Sequence, residues 1–558
     1  MRSPRGSTAS PATRRTTARH ELGEDRDQIK RGFGAFCDSG EHTRLVDERR
    51  RTKALVLAIV LSVLLYAASL GADFTLDDWL AVVGHPGVRG PLSWQAIFGR
   101  DFWGHPFGDP QAVGTYRPLL TLTYWLDVHI WQSPRWMHAV NLGLYGAVLL
   151  CAERLLRRLV PLTHEARLLA VLVFGTLGIH ADVVPSVTGR SELLASLFTL
   201  IAMERAIVSA EDDDRSAVVA AALAAIAAMS CKESAFATTL VLPWLAFRRR
   251  TPGRAAWAAL GVATLVPLAA MLWFRRSRLP LQVHGEAWQI SNPLLSAPFG
   301  QRLLGAGEAL VRYVEHTLAP LDACADYGYA TLLPSAGPRA LLGLALMASA
   351  LGIATYTFRR APHVCDTLLL GGASYFTVSH LLLPGSAFVA DRLFFLPSLF
   401  LVTLAALALD RIAAVGRRKL VAAGALLFAT TQACFTLMLV PNWHDDLSLS
   451  AQALGNCSTG MRMRVYRGET LHRFGKIEET AWSFLVAGAI FDRFPQPVAD
   501  EEFPLEWEQL PVAERVARLR ARLGPVRFAR AVTQALDALA NKRWSDASVI
   551  VRRWGEQR

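Results

Sequence analysis

Apolar residues along this chain gather into blocks about as long as a bilayer's hydrocarbon core is thick, separated by short polar or charged stretches. The blocks cover residues 54–70, 140–156, 167–184, 193–208, 217–229, 235–247, 255–274, 341–358, 367–383, 393–409 and 421–440. Most are long enough to span, so the pattern predicts an all-α polytopic membrane protein with about eleven transmembrane helices. Two blocks are short: at 1.5 Å of rise per residue, 217–229 and 235–247 each cover only roughly 20 Å, and either could be partly re-entrant. Between 276 and 338 the helical period returns on one face only, with Leu303, Leu304, Leu310, Val311 and Val314 marking an amphipathic helix.

Charge orients the pattern. Residues 1–52 are polar and too poor in apolar side chains to bury a core, so they read as a disordered basic tail. They end on Arg49, Arg50, Arg51 and Lys53 against the first block, which sets the N-terminus in the cytoplasm by the positive-inside rule. Alternate block ends carry Arg157 and Arg158, Arg248 to Arg250, Arg359 and Arg360, and Arg417 and Arg418. The acidic end at Glu211 to Asp214 is the exception on the cytoplasmic side. Arg275 to Arg278 breaks the rule on the outer side, where snorkelling onto anionic lipid is one explanation. Segments 73–138 and 276–338 are then external loops of a membrane domain covering 53–441, and the C-terminus is external.

From 442 onward charged residues rise and no block is long enough to span, so 442–558 reads as a small external α-helical domain. Arg464 to Phe491, with Gly468 and Ala487 near small-residue positions, resembles one tetratricopeptide hairpin. Composition agrees with a membrane protein: 52% of residues are hydrophobic and the mean hydropathy is +0.26. The net charge of +12 falls largely in the clusters between blocks, so it marks topology and not a nucleic-acid partner. Seven scattered cysteines, with no Cys-x-x-Cys pair, indicate neither a zinc site nor a disulfide framework. No phosphate-binding glycine loop is present for a soluble nucleotide donor.

The candidate chemistry sits in the first external loop. Asp77 and Asp78 follow closely on a spanning block, where a membrane-bound substrate presents its reactive group, and a carboxylate there can serve as general base. The competing reading is that they cap the next helix. The loop continues Asp101-Phe102-Trp103-Gly104, Tyr116-Arg117-Pro118-Leu119 and His138-Ala139-Val140-Asn141. Taken in that order, with Phe74 ahead of Asp77-Asp78, these four motifs resemble the first luminal loop of the transmembrane-and-tetratricopeptide O-mannosyltransferases, within the C-type glycosyltransferase superfamily.

The resemblance implies a C-type glycosyltransferase fold and an inverting hexosyltransferase that moves a sugar, mannose by family, from a polyprenyl-phosphate donor to an external protein hydroxyl. It implies a catalytic role for Asp77 or Asp78, Asp77 slightly preferred. Further on, Gly189-Arg190-Ser191-Glu192 after His180 and Asp182, Lys232-Glu233, and Ala390-Asp391-Arg392 resemble later family motifs, with Asp391 where the family carries Glu. Asn292-Pro293 and Asp326-Tyr327 match two more points. Arg117, His138, Asn141, Arg190, Glu192, Lys232, Glu233, Asp391 and Arg392 are therefore the expected substrate-binding set, the cations serving the leaving phosphate. Local pairing of Lys232 with Glu233 and of Arg392 with Asp391 is the structural alternative.

No cofactor is indicated with certainty, and a transient divalent cation at Asp77-Asp78 stays open. The expected partners are a polyprenyl-phosphate-linked sugar, an acceptor protein or glycolipid, and membrane lipids, with no nucleic acid. The same fold also modifies lipids and cell-wall glycans. A polyprenyl-lipid flippase is the competing class, and a catalytically silent scaffold another; polar residues gathered at block ends rather than mid-span argue against the flippase. The Arg- and Ala-rich composition leans toward a bacterial inner membrane.

Overall fold

The computed structural model describes residues 47–109, 112, 115–249, 254–278, 292–328, 336–382, 385, 387–494, 496, 498 and 500–556. The polar tail up to 46 and parts of the second external loop (279–291, 329–335) lie outside the described residues. The chain divides into two compact units, Met1–Leu57 and Ala58–Arg558. What is described of the first is a helical segment, 47–57.

Among the described residues each expected apolar block lies wholly or in large part on helix, with 177–184 and 377–382 continuing as short turns, and the only β-pairing is two isolated bridges. Among the described residues, five helical runs are long and apolar enough to cross a membrane: Pro134–Leu159, Arg190–Glu211, Ala258–Ser277, Pro338–Arg360 and Asp391–Trp443. The last of these breaks at Gly416, whose φ of +89° reverses the backbone between Phe395–Ile412 and Arg418–Leu439. The other blocks form shorter helices, such as His164–Thr176 with 13 residues and Pro362–Phe376 with 15. The expected count of about eleven spans therefore exceeds what helix length alone supports.

Helix ends gather at two poles. At the first, Arg158 pairs with Glu211 at 2.8 Å, Arg249 donates to the Leu159 carbonyl at 2.9 Å, Arg248 meets Asp366 at 3.2 Å, and Thr163 donates to Asp410 at 2.8 Å. The acidic exception at Glu211 is thus neutralised by the basic end of the neighbouring helix. The opposite pole carries the candidate site. The short blocks form a hairpin between these poles: Arg215–Met229 leads to a turn at Ser230 to Ser234, and Ala235–Leu240 with Leu242–Arg249 returns. The turn reaches the site pole, where Glu233 pairs with Arg117.

Capping explains several of these boundaries. Thr163 and Asp214 accept from backbone N–H groups of the helices they precede, and Pro134, Pro338 and Pro362 occupy first turns where no N–H is required. In the tail, Asp445 caps Asp446–Asn456 by accepting from Ser448 at 2.7 Å. Met461–Arg473 and Ile477–Phe491 then form an antiparallel pair, the hairpin expected from the tetratricopeptide-like stretch. Gly468 lets the two approach, since a Cβ there would stand 2.6 Å from the Phe484 ring. Val512–Asn541 and Ser545–Glu556 complete a core around Trp482, Leu485, Ile490, Leu519, Leu539 and Trp554.

Candidate active site

The two adjacent aspartates stand in different environments. Asp78 is fully buried, and its oxygens accept from the Thr75 N–H at 3.1 Å and the Thr188 N–H at 2.8 Å. Burial outweighs both donors and pushes its pKa up to about 7. Asp78 thus closes its own turn and ties it to the segment before Arg190. The Asp77 side chain is 22% exposed, and its charged neighbour is Arg462 of the tail, 3.6 Å away.

The remaining first-loop motifs build the wall around this turn. Asp101 accepts from the N–H groups of Trp103 and His105, folding Asp101 to Gly104 into a tight loop. Phe102 from that loop lies under the Arg117 guanidinium, 4.6 Å from its centre. His85 is buried and caps a short helix through Val88, which accounts for it without a ligand. His138 is buried against the backbone of Asp73 and Pro185.

Asn141 accepts from Arg190 Nε at 2.9 Å and donates to the Ser186 carbonyl at 2.7 Å. Arg190 has no exposed surface: its other partners are Asp127 at 2.5 Å, the Met137 carbonyl at 3.0 Å, and the Tyr124 ring. Arg190 is enclosed between Asn141, Asp127 and the Met137 carbonyl, so in this structure it and Asn141 pack the interior and present no open face for the expected substrate contact. The glycine before Arg190 permits this, because any Cβ at Gly189 would strike the Val183 carbonyl.

Neither neighbour pair offered as the structural alternative forms. Lys232 pairs with Glu192 across the bundle, while Glu233 holds Arg117 at 2.9 Å and Arg275 at 3.1 Å. Adjacent residues project to different sides, so each finds a partner on another element. Arg275 is therefore part of the site wall, and the snorkelling expected of it is corrected. Burial would raise the Glu233 pKa, but the two guanidiniums hold it down at about 2. Asp391 likewise meets His316 at 2.7 Å, not Arg392. The Arg392 backbone N–H and guanidinium both reach Asp182, at 3.0 and 3.5 Å, and the guanidinium also donates to the Ala325 carbonyl at 3.0 Å.

Around Asp77 there is consequently a charged cluster drawn from distant parts of the chain: Asp182, Asp326, Arg392 and Arg462, within electrostatic reach of one another. Arg462 is shared, 2.6 Å from Asp326 and 3.6 Å from Asp77. Its side chain is 36% exposed and that of Arg392 is 19% exposed, so both keep an open edge. A narrow cleft opens beside them, lined among others by Asp182, Cys324, Asp391, Trp443 and Gln452. A smaller crevice lies by Glu192, Ser196, Thr199 and Ser374. Among the described residues, no group of three or more His, Cys, Asp or Glu is arranged to hold a metal ion.

Arg462 carries no signal of a site in the sequence. Nothing in its local pattern distinguishes it from the other tail arginines, and only the docking of the tail helix brings it to Asp77.

No protein-family profile matches the chain, and no solved structure matches it. Among curated proteins, it is 23% identical over 445 residues to the protein O-mannosyl-transferase F38B6.6 of Caenorhabditis elegans, covering 78% of this chain and 62% of the relative. It is 35% identical over 144 residues to protein O-mannosyl-transferase TMTC1 of Mus musculus, covering 25% of this chain and 15% of the relative. To Tmtc2 of Drosophila melanogaster it is 34% identical over 189 residues, which are 32% of this chain and 20% of the relative. The chain thus spans less than two thirds of the length of these relatives. The relatives it resembles here are thus all named protein O-mannosyl-transferases.

Proposed function

We propose that the protein is a membrane-embedded inverting glycosyltransferase that moves mannose from a polyprenyl-phosphate donor to a hydroxyl of an external protein. The observation that carries this reading is the contrast within the aspartate pair. Asp78 is buried and bonded to backbone, whereas Asp77 is open beside the two partly exposed guanidiniums of Arg392 and Arg462. A base next to cations is what attack by a hydroxyl on a sugar phosphate requires.

In this reading Asp77 accepts the proton of the acceptor hydroxyl. The hydroxyl oxygen bonds to the anomeric carbon from the face opposite the phosphate, inverting the centre. The carbon–oxygen bond to phosphate breaks, and the bonding pair leaves with the polyprenyl phosphate, whose added charge Arg392 and Arg462 offset. Lys232–Glu192 and Arg117–Glu233–Arg275 hold the wall. The Arg462 contact arises from the tail, so 442–558 is proposed as a helical module working with the membrane domain. The same reading sets the site pole and the tail outside a bacterial plasma membrane, with the N-terminus in the cytoplasm.

The test is direct: purified full-length protein in lipid nanodiscs is given polyprenyl-phosphate mannose and candidate secreted proteins. A mass gain of one hexose on Ser or Thr of an acceptor is expected, and it should disappear in Asp77→Asn. A hexose appearing only on lipid or glycan would overturn the protein acceptor. Net movement of uncleaved donor across vesicles without any transfer would overturn the enzyme reading.

A further inference from the structure

The turn that carries Asp77 contains a strained residue. Leu76 has a φ of +49°, in the left-handed region that branched and bulky side chains rarely enter. Such a conformation persists only where the surroundings over-determine it, and it lies immediately before the proposed base. The holding groups come from the tail. The Leu76 N–H donates to Asp446 Oδ1 at 3.1 Å and to the Tyr466 hydroxyl at 2.9 Å, across 370 and 390 residues of sequence.

Asp446 is the centre of this contact. It is buried, and its second oxygen accepts from Trp79 Nε1 at 2.8 Å, so one carboxylate grips the turn on both sides of Asp77 and Asp78. Tyr466 donates to Asp446, and Arg473 pairs with it while lying over the Trp79 ring. The Asp73 N–H donates to the His444 carbonyl at 2.9 Å, so the start of the turn is fixed from the same side. A lone buried carboxylate is costly, and here every contact of Asp446 is charged or hydrogen-bonded.

We propose that Asp446 is a positioning residue for the transfer reaction: it holds Leu76 in its left-handed turn and so sets the direction in which Asp77 projects. The inference rests on the reading of Asp77 as base, but its structural half does not depend on any activity. A misdirected base costs rate without weakening donor binding, because both Asp446 oxygens are already engaged by Leu76, Trp79, Tyr466 and Arg473. The tail is then a working part of the site and not a separate acceptor platform.

The test compares full-length wild type, Asp446→Ala, Leu76→Gly and the double variant in nanodiscs. Hydrogen–deuterium exchange of the 74–79 segment reports the grip, with exchange of the tail helices as the control for folding. Asp446→Ala should speed exchange at 74–79 while the tail stays protected, and should lower kcat about a hundredfold with little change in KM for polyprenyl-phosphate mannose. Glycine enters the left-handed region without penalty, so Leu76→Gly in the Asp446→Ala background should restore at least tenfold of the lost kcat. Unchanged exchange at 74–79 in a folded Asp446→Ala protein overturns the grip. Faster exchange with wild-type kcat, or no rescue by glycine, overturns the positioning role. If wild type itself transfers no hexose, the functional reading has failed, and exchange alone then decides whether Asp446 holds the turn.

Discussion

Arg462 of the tail stands 3.6 Å from Asp77 and 2.6 Å from Asp326, bridging the loop after the first apolar block to a loop more than two hundred residues later. Asp326 is the largest influence holding the Arg462 guanidinium more basic than usual, so it is a fixed cation at this position. Removal of everything after Pro441 takes away both Arg462 and Asp446. We expect such a truncation, where it still inserts and folds, to lose turnover as fully as Asp77→Asn does. Retention of wild-type turnover by the folded truncation would contradict any part for the tail in the site.

The aspartate pair should separate by variant. Asp77→Asn preserves size but removes the proton acceptor, and turnover is expected to fall by about 10²–10⁴ with donor affinity retained. Asp78→Asn turns one of its two accepting atoms into a donor facing a backbone N–H. Its main effect should be a loss of about 1–3 kcal/mol in stability. Steady-state kinetics beside thermal melts check both, and the reverse assignment is established if Asp78→Asn abolishes turnover in a stable protein.

Asp78 also predicts a pH dependence. Its folded pKa of about 7 lies above the ordinary 3.8, so the native state keeps a proton that the unfolded chain has released. Stability from this group therefore falls as pH rises from about 4 to about 7 and is level above that. The gap sets an upper bound of about 4 kcal/mol. The melting temperature of wild type in detergent should decline across that window relative to Asp78→Asn, with a constant difference at higher pH. A difference that does not vary between pH 4 and 7 would count against the buried, protonated carboxyl.

Two of the cations expected at the phosphate, Arg392 and Arg190, should behave differently when altered. Arg392→Gln leaves a partly open site edge without its charge and is expected to raise KM for the donor, with a smaller effect on folding. Arg190→Gln strands Asp127 in the interior and should destabilise the protein by about 3–5 kcal/mol. Expression level, melting temperature and donor titration distinguish them. An Arg190→Gln protein of normal stability with a raised KM would return Arg190 to the substrate.

The positive-inside reading predicts the side on which the tail lies. An alkaline-phosphatase fusion at Asn442 in a bacterial host should be active, and one at Arg215 inactive. Activity in the opposite pattern would invert the whole arrangement.

Much of this protein could be read from its sequence because its dominant force is one-dimensional. A membrane helix satisfies its own backbone and must be apolar along its length, so each span is written as a block that local composition reveals. The amphipathic helix at Phe299–Leu318 and the tail hairpin were equally legible, since helical period and small residues are local signals. The position of Asp77-Asp78 after the first block was legible for the same reason.

Partner choice was not. Lys232 and Glu233 are neighbours in sequence, yet each pairs with a group from another helix, because successive side chains diverge and buried charges require the nearest opposite charge in space. Likewise, two adjacent aspartates of identical chemistry differ only in whether Thr188 and Thr75 close over them, which depends on how the segment before Arg190 packs. Arg462 and Asp446 come from a tail whose own sequence carries no mark of a site. The residue types and their order along the chain were determined by sequence alone. Tertiary structure decided which carboxylate is open, which cation faces it and which arginine is sealed inside, because burial and pairing depend on distances that chain order does not contain.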